Sequence, residues 1–258
     1  MVKFYSSSYD YAYPFPAVTL AYFLRYPNPY STHVISTDTI SRHFDPEKQE
    51  LHTVRLHLKR SKLPSAVLSI LPRGLLGASA NGDSQSYILE RSTVNVKEGW
   101  MDTESRNLEF TGVLSVVERQ RFSRPESSHP FRGCEKTAQS HGLLPLEGDE
   151  TTDVSTTVTL HSRIGERLRK TRDAAMKSAA PEAVDEDPKE KVSFFRQWSQ
   201  AGIQRSIESI GLKRAERSQP NAKEGMKIVL QRMRQGGLVA VLDGMRQDRE
   251  KGQEKVQS

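Results

Sequence analysis

In the stretch Leu51-His52-Thr53-Val54-Arg55-Leu56-His57-Leu58-Lys59, polar and apolar residues alternate without a break from Thr53 onward. Side chains alternate across a strand, so Val54, Leu56 and Leu58 share one face and Arg55, His57 and Lys59 the other. The same period of two recurs at residues 34–42, 87–96, 101–110, 113–122 and 154–160, and Lys3 to Tyr11 reads as a Tyr/Ser-rich edge strand. The connections at residues 45–49, 97–99 and 111–112 are short enough for hairpins. Consecutive hairpins make an antiparallel meander. Residue types alone favour a solvent-facing row for Arg55, His57 and Lys59; a concave face that reads an anion is the alternative.

Helices flank this sheet. Pro16 suits the start of a short helix over residues 17–25, which Pro27 and Pro29 stop. Val18, Ala21, Tyr22 and Arg25 fall on one face of it. Later helical patterns cover residues 164–177, 192–212 and 222–247, with Phe195, Trp198, Ile203, Ile207 and Ile210, then Met226, Val229, Leu230 and Met233, as apolar faces. Pro220 predicts an interruption between the last two. The fold class is therefore α+β: an antiparallel meander, a short N-terminal helix and C-terminal helical segments. We read residues 1–248 as one domain with flexible inserts at 123–150 and 177–191, followed by a polar tail at 249–258.

A long connection at residues 62–86 opens with an apolar piece containing Leu63, Pro64, Val67, Leu68 and Leu71 and continues into a Gly/Ala/Ser/Asn-rich stretch. Loops of that length inside a compact sheet are usually functional or disordered, and this one reads as a lid.

The chemistry-bearing patterns point away from catalysis. No His-Glu-x-x-His, Gly-x-Ser-x-Gly or phosphate-loop motif occurs, and His33, His43, His52 and His57 have no metal-ligand spacing. Neither metal nor cofactor is expected. The lone Cys134 cannot close an internal disulfide. No run of apolar residues is long enough for a transmembrane helix, and residues 1–13 lack a signal-peptide centre. Nucleic-acid signatures are missing as well, although a formal net charge of +6 favours an acidic partner. A sheet with a lid, covering helices and cations near apolar surface fits a cavity that sequesters an amphiphile.

The run from Arg25 through Tyr26-Pro27-Asn28-Pro29-Tyr30-Ser31-Thr32-His33-Val34, continuing at Asp38-Thr39-Ile40-Ser41-Arg42, resembles the PRELI-like family of mitochondrial intermembrane-space lipid carriers. The likeness extends to Arg55, Lys59, Lys62-Leu63-Pro64, Tyr87-Ile88-Leu89-Glu90 and Arg106 to Gly112, and covers about the first 122 residues. It implies an antiparallel sheet curved around a lipid cavity, closed by a lid loop and a long C-terminal helix. It further implies transfer of phosphatidic acid between the outer and inner mitochondrial membranes for cardiolipin synthesis. A small helical partner with twin cysteine-x-nine-cysteine motifs and peripheral contact with anionic mitochondrial membranes belong to the same expectation. Arg25 matches the family's phosphate ligand on the cavity floor, and Arg55, Lys59 and Lys62 match cationic positions near headgroup and lid. Physically, a guanidinium on an apolar helix face needs an anion, which is either that phosphate or a carboxylate such as Asp38. A phosphatidylserine carrier, or a non-enzymatic protein whose basic C-terminal helices bind RNA or an assembly, are the alternatives.

Overall fold

The computed structural model describes residues 2–62, 83–125, 150–162 and 200–257. Its strands are β1 (Val2–Tyr11), β2 (Val34–Asp45), β3 (Glu50–Lys62), β4 (Asp83–Asn95), β5 (Trp100–Asn107), β6 (Ser115–Ser123) and β7 (Thr152–His161). They form a seven-stranded sheet in the order β1-β7-β6-β5-β4-β3-β2, with every pairing antiparallel. The meander expected from the alternating stretches is therefore present, with β1 returning to pair with β7 at one edge and β2 forming the other.

Local chemistry sets the turns. At the β2–β3 hairpin, Asp45 Oδ1 accepts the backbone N–H groups of Glu47 and Lys48 at 3.0 and 3.2 Å. At the β4–β5 hairpin, Asn95 Oδ1 accepts the Glu98 N–H, and Gly99 adopts a φ of 75° that favours glycine. The turn expected at residues 111–112 is wider, because β5 ends at Asn107. The Asn107 side chain donates to the carbonyls of Glu109 and Leu114 and accepts the Val116 N–H, holding the wider loop closed.

Helix α1 (Phe15–Phe23) lies between β1 and β2 in sequence. Phe15, Ala17, Val18, Ala21 and Tyr22 are buried, and Pro16 sits in the first turn, where its missing N–H costs nothing. The second helix, α2 (Gln200–Gln257), supplies Met226, Val229, Leu230 and Met233 to a core shared with α1 and with Val94, Met101, Phe122 and Val154 of the sheet. The apolar face read from residues 226–233 is thus the one buried. Helix continues through residues 249–257.

Pro220 does not interrupt α2; the helix passes through it. Pro220 is exposed, while buried Gln219 bonds to Glu118 on β6 and Met226 enters the core, so packing on either side outweighs the lost hydrogen bond. The break falls instead at Gly236 and Gly237, the latter at φ 63°, ψ −153°, a conformation essentially reserved for glycine. There the chain folds back: Arg232 and Asp248 form an ion pair at 2.7 Å although they lie sixteen residues apart, about 24 Å along an unbroken helix. Val241 and Met245 of the returning arm pack against the core.

The patterns at residues 164–177 and 192–199, with Phe195 and Trp198, lie outside the described residues, as do the lid residues Leu63, Pro64, Val67, Leu68 and Leu71. The same holds for nearly all of the insert at 123–150 and the whole insert at 177–191.

Candidate functional site

Residue types alone favoured a solvent-facing row for Arg55, His57 and Lys59; that expectation is reversed. Thr53, Arg55 and His57 are buried on the concave face, and Val54, Leu56 and Leu58 are only half-buried on the convex one. The reason is a carboxylate on the neighbouring strand. Glu90 of β4 stands in register with Arg55 of β3 and is 1 % exposed, so the two alternating patterns turn the same face inward.

Glu90 is the hub of a buried polar cluster. Its Oε1 accepts from Arg55 Nε at 2.8 Å and from Arg55 Nη2. Its Oε2 accepts from Arg25 Nη2, from the Tyr22 hydroxyl at 2.9 Å and from His57 Nε2 at 3.2 Å. Helix α1 positions two of these donors: Tyr22 lies in its last turn and Arg25 just beyond, where Arg25 Nη1 also donates to the Tyr22 carbonyl at 2.8 Å. Arg55 Nη1 donates to the Phe23 carbonyl at 3.0 Å and so ties strand to helix end. The Arg25 guanidinium lies 3.7 Å from the Tyr22 ring centroid and 4.6 Å from that of Tyr26, within cation–π range.

Burial alone would raise the Glu90 pKa, but Arg25, the His57 hydrogen bond and Arg55 together hold it well below the usual carboxylate range. Burial opposes the charge on Arg25 too, and Glu90 outweighs it, keeping that guanidinium ionised. His57 is pushed the other way: burial lowers its pKa more than Glu90 raises it. The imidazole is therefore neutral, donating from Nε2 to Glu90 while Nδ1, 2.9 Å from Thr37 Oγ1, accepts the hydroxyl proton. Two guanidiniums thus share one carboxylate, leaving a net positive charge at the cluster.

Above this floor lies a cavity of about 270 Å³, lined by Arg25, Lys59, Tyr26, Tyr9, Glu118 and Gln219 among others. Lys59 makes no ion pair among the described residues. Its charge and that of Arg25 outweigh burial and lower the Tyr26 pKa. At the same cavity, Glu118 accepts a hydrogen bond from Gln219 of α2 at 3.0 Å, so the helix roofs the cavity there. The arrangement can bind an anion.

Of the cationic positions read from the sequence, Arg25 and Lys59 face the cavity, and Arg55 stands behind Glu90 as a support. The Lys62 side chain lies outside the described residues. The carboxylate that meets Arg25 is Glu90, whereas Asp38 is exposed on β2 and accepts from Ser36 Oγ. Glu90, Tyr22, Tyr26 and His57 were not legible as site residues. One signal was present: Glu90 alternates on the same strand face as Ile88 and Val94, where a buried acid needs cations facing it.

Residues 16–141 match the model of the PRELI-like family. Among curated proteins, the chain is 42 % identical over 118 residues to Protein UPS1, mitochondrial, of Saccharomyces cerevisiae, covering 46 % of this chain and 62 % of that one. It is 35 % identical over 120 residues to Protein ups1 homolog of Schizosaccharomyces pombe, covering 46 % and 61 %. To Protein UPS2, mitochondrial, of Saccharomyces cerevisiae it is 30 % identical over 136 residues, covering 53 % and 54 %. The matches thus span roughly three fifths of these relatives or less. Among solved structures, the Zhui aromatase/cyclase from Streptomyces sp. R1128 aligns over 92 % of this chain and 99 % of its own, at 9 % identity and a TM-score of 0.44.

Proposed function

From a chain that carries a PRELI-like region over residues 16–141, we propose a mitochondrial lipid-transfer protein that takes up one anionic phospholipid, phosphatidic acid, with its phosphate on Arg25 and Lys59. One observation carries this reading: Arg25 and Arg55 share the one carboxylate of Glu90, and Arg25 lines a cavity together with Lys59, which has no ion pair among the described residues. A phosphate supplies the missing negative charge. The planar fork of Arg25 suits two of its oxygens, and Lys59 adds a point charge.

The support for each further part differs. The mitochondrial address rests on the names of the matched relatives, and the intermembrane space, the twin cysteine-x-nine-cysteine partner and delivery towards cardiolipin synthesis on the family resemblance. Non-enzymatic action is part of the same proposal and is supported by the family match. A volume of about 270 Å³ lies just below the roughly 300–1,000 Å³ of small-molecule sites and suits a headgroup; in this proposal α2 moves from the sheet to admit two acyl chains. Each methylene then buried contributes about 0.8 kcal/mol.

Glu118 favours a second reading. Its carboxylate lines the same cavity as Arg25, where it would accept the ammonium of phosphatidylserine. Liposome-to-liposome transfer of phosphatidic acid, phosphatidylserine and a neutral phospholipid, with the cysteine-rich partner present, separates the two. Selective movement of phosphatidic acid, abolished in Lys59→Ala, is the expected result. Selective movement of phosphatidylserine, lost in Glu118→Gln, replaces the substrate and keeps the carrier; no transfer of any lipid rejects the proposal.

A further inference from the structure

The returning arm of α2 has two faces of different chemistry. Val241, Gly244, Met245 and Asp248 point inward, onto the core and Arg232. The outward face begins at the bend with Leu238, Val239 and Leu242, which are 50, 69 and 48 % exposed, and continues a turn later with exposed Arg246 and Arg249. Just before the bend, Arg234 is exposed as well. At a helical period these five residues share one face: three large apolar side chains at the tip, then two cations, of which Arg246 pairs with Asp243 and Arg249 borders a groove beside Met245 and β2. The bend that presents them requires glycine, since Gly237 has a φ of 63°.

We propose that this tip, residues 234–246, is the surface with which the protein docks onto an anionic bilayer. Leu238, Val239 and Leu242 enter the boundary between headgroups and acyl chains while Arg234 engages lipid phosphates and Arg246, which pairs with the exposed Asp243 at 3.5 Å, exchanges that partner for a phosphate. The proposal rests on the carrier reading for its purpose, since a carrier must reach a membrane to exchange its cargo. Charge complementarity identifies the occupant: exposed apolar side chains rimmed by arginines on one helical face match the interfacial helices of peripheral proteins. Size argues against a folded protein in that place. Three side chains at a tip fall far short of the roughly 800 Å² per partner of a stable complex, whereas shallow insertion needs no more. Among the described residues no helix is long and apolar enough to cross a membrane, so the contact is peripheral.

The test uses the full chain and vesicles of phosphatidylcholine with or without phosphatidic acid. The double variant Leu238→Glu, Val239→Glu is expected to lose about tenfold or more of its affinity for the acidic vesicles. Its thermal midpoint and its binding of a soluble short-chain phosphatidic acid should stay unchanged. In Val239→Trp, vesicle binding should add a blue-shifted emission that brominated acyl chains quench. Wild-type vesicle affinity in the double variant, or emission from Trp at position 239 that stays unquenched on bound vesicles, overturns the proposal. Loss of short-chain lipid binding in the double variant also overturns it, because the substitution then acts through the cavity. Failure of the unmodified protein to bind short-chain phosphatidic acid counts against the carrier reading alone, and the vesicle comparison still decides the tip.

Discussion

At Glu90 a single carboxyl group holds the charges of Arg25 and Arg55 together, and its removal is correspondingly costly. Glu90→Gln leaves two guanidiniums facing each other without a counter-ion, one of them on Arg55, 3 % exposed. Breaking a buried ion pair from one side costs about 3–5 kcal/mol; for the described fold we expect a loss of that order by denaturant unfolding, partly restored when an anionic lipid is bound. The pH dependence follows from the same cluster. Glu90 titrates below its ordinary value of 4.5 in the fold, so its stabilisation is present above that pH and is lost as pH falls through the folded value. His57 titrates below its ordinary 6.5, so from that pH downward the unfolded chain takes up a proton that the folded one does not, and stability falls again. Thermal midpoints should therefore decline on acidification in two stages, and His57→Gln should flatten the first of them. An unchanged slope in that variant removes His57 from the account.

The elements show which sequence signals prevail over others. Strand periodicity was reliable because each strand has one inward face, so a slip of one residue would expose the entire core row. Proline proved a weaker breaker than expected: Pro220 sits on the exposed side of α2, between anchors at Gln219 and Met226. Glycine was stronger, because Gly237 takes a backbone conformation that side chains with a Cβ avoid. Gly237→Ala is accordingly expected to destabilise the fold by about 1–3 kcal/mol. It should also release the returning arm, read as faster amide exchange around Val241 and Met245; protection equal to the wild type would show that the bend does not hold the arm.

On the scale of the whole molecule, the sheet, α1 and α2 together line the cavity, and the proposed lipid transfer calls for α2 to move away from the sheet. Glu118 of β6 and Gln219 of α2 touch at 3.0 Å. Replacing both by cysteine in a Cys134→Ser background and bridging them with a short bifunctional reagent should stop lipid uptake, and cleavage of the bridge should restore it. Undiminished transfer by the bridged protein would place the lipid's route elsewhere. By itself the sequence determined the strands, the antiparallel hairpins of consecutive strands and the buried faces of α1 and of residues 226–233, because these follow from residue periods of two and 3.6 and from short connections that a local window displays; the pairing of β1 with β7 came from the tertiary structure. It also marked Arg25, Arg55 and Lys59, through motif likeness. Only the tertiary structure decided that the polar face of β3 turns inward, that Glu90 meets both arginines, and that α2 folds back at Gly237. Those outcomes depend on pairing between strands and on packing of distant segments, where one buried carboxylate reverses what the residue types of its neighbouring strand would choose alone.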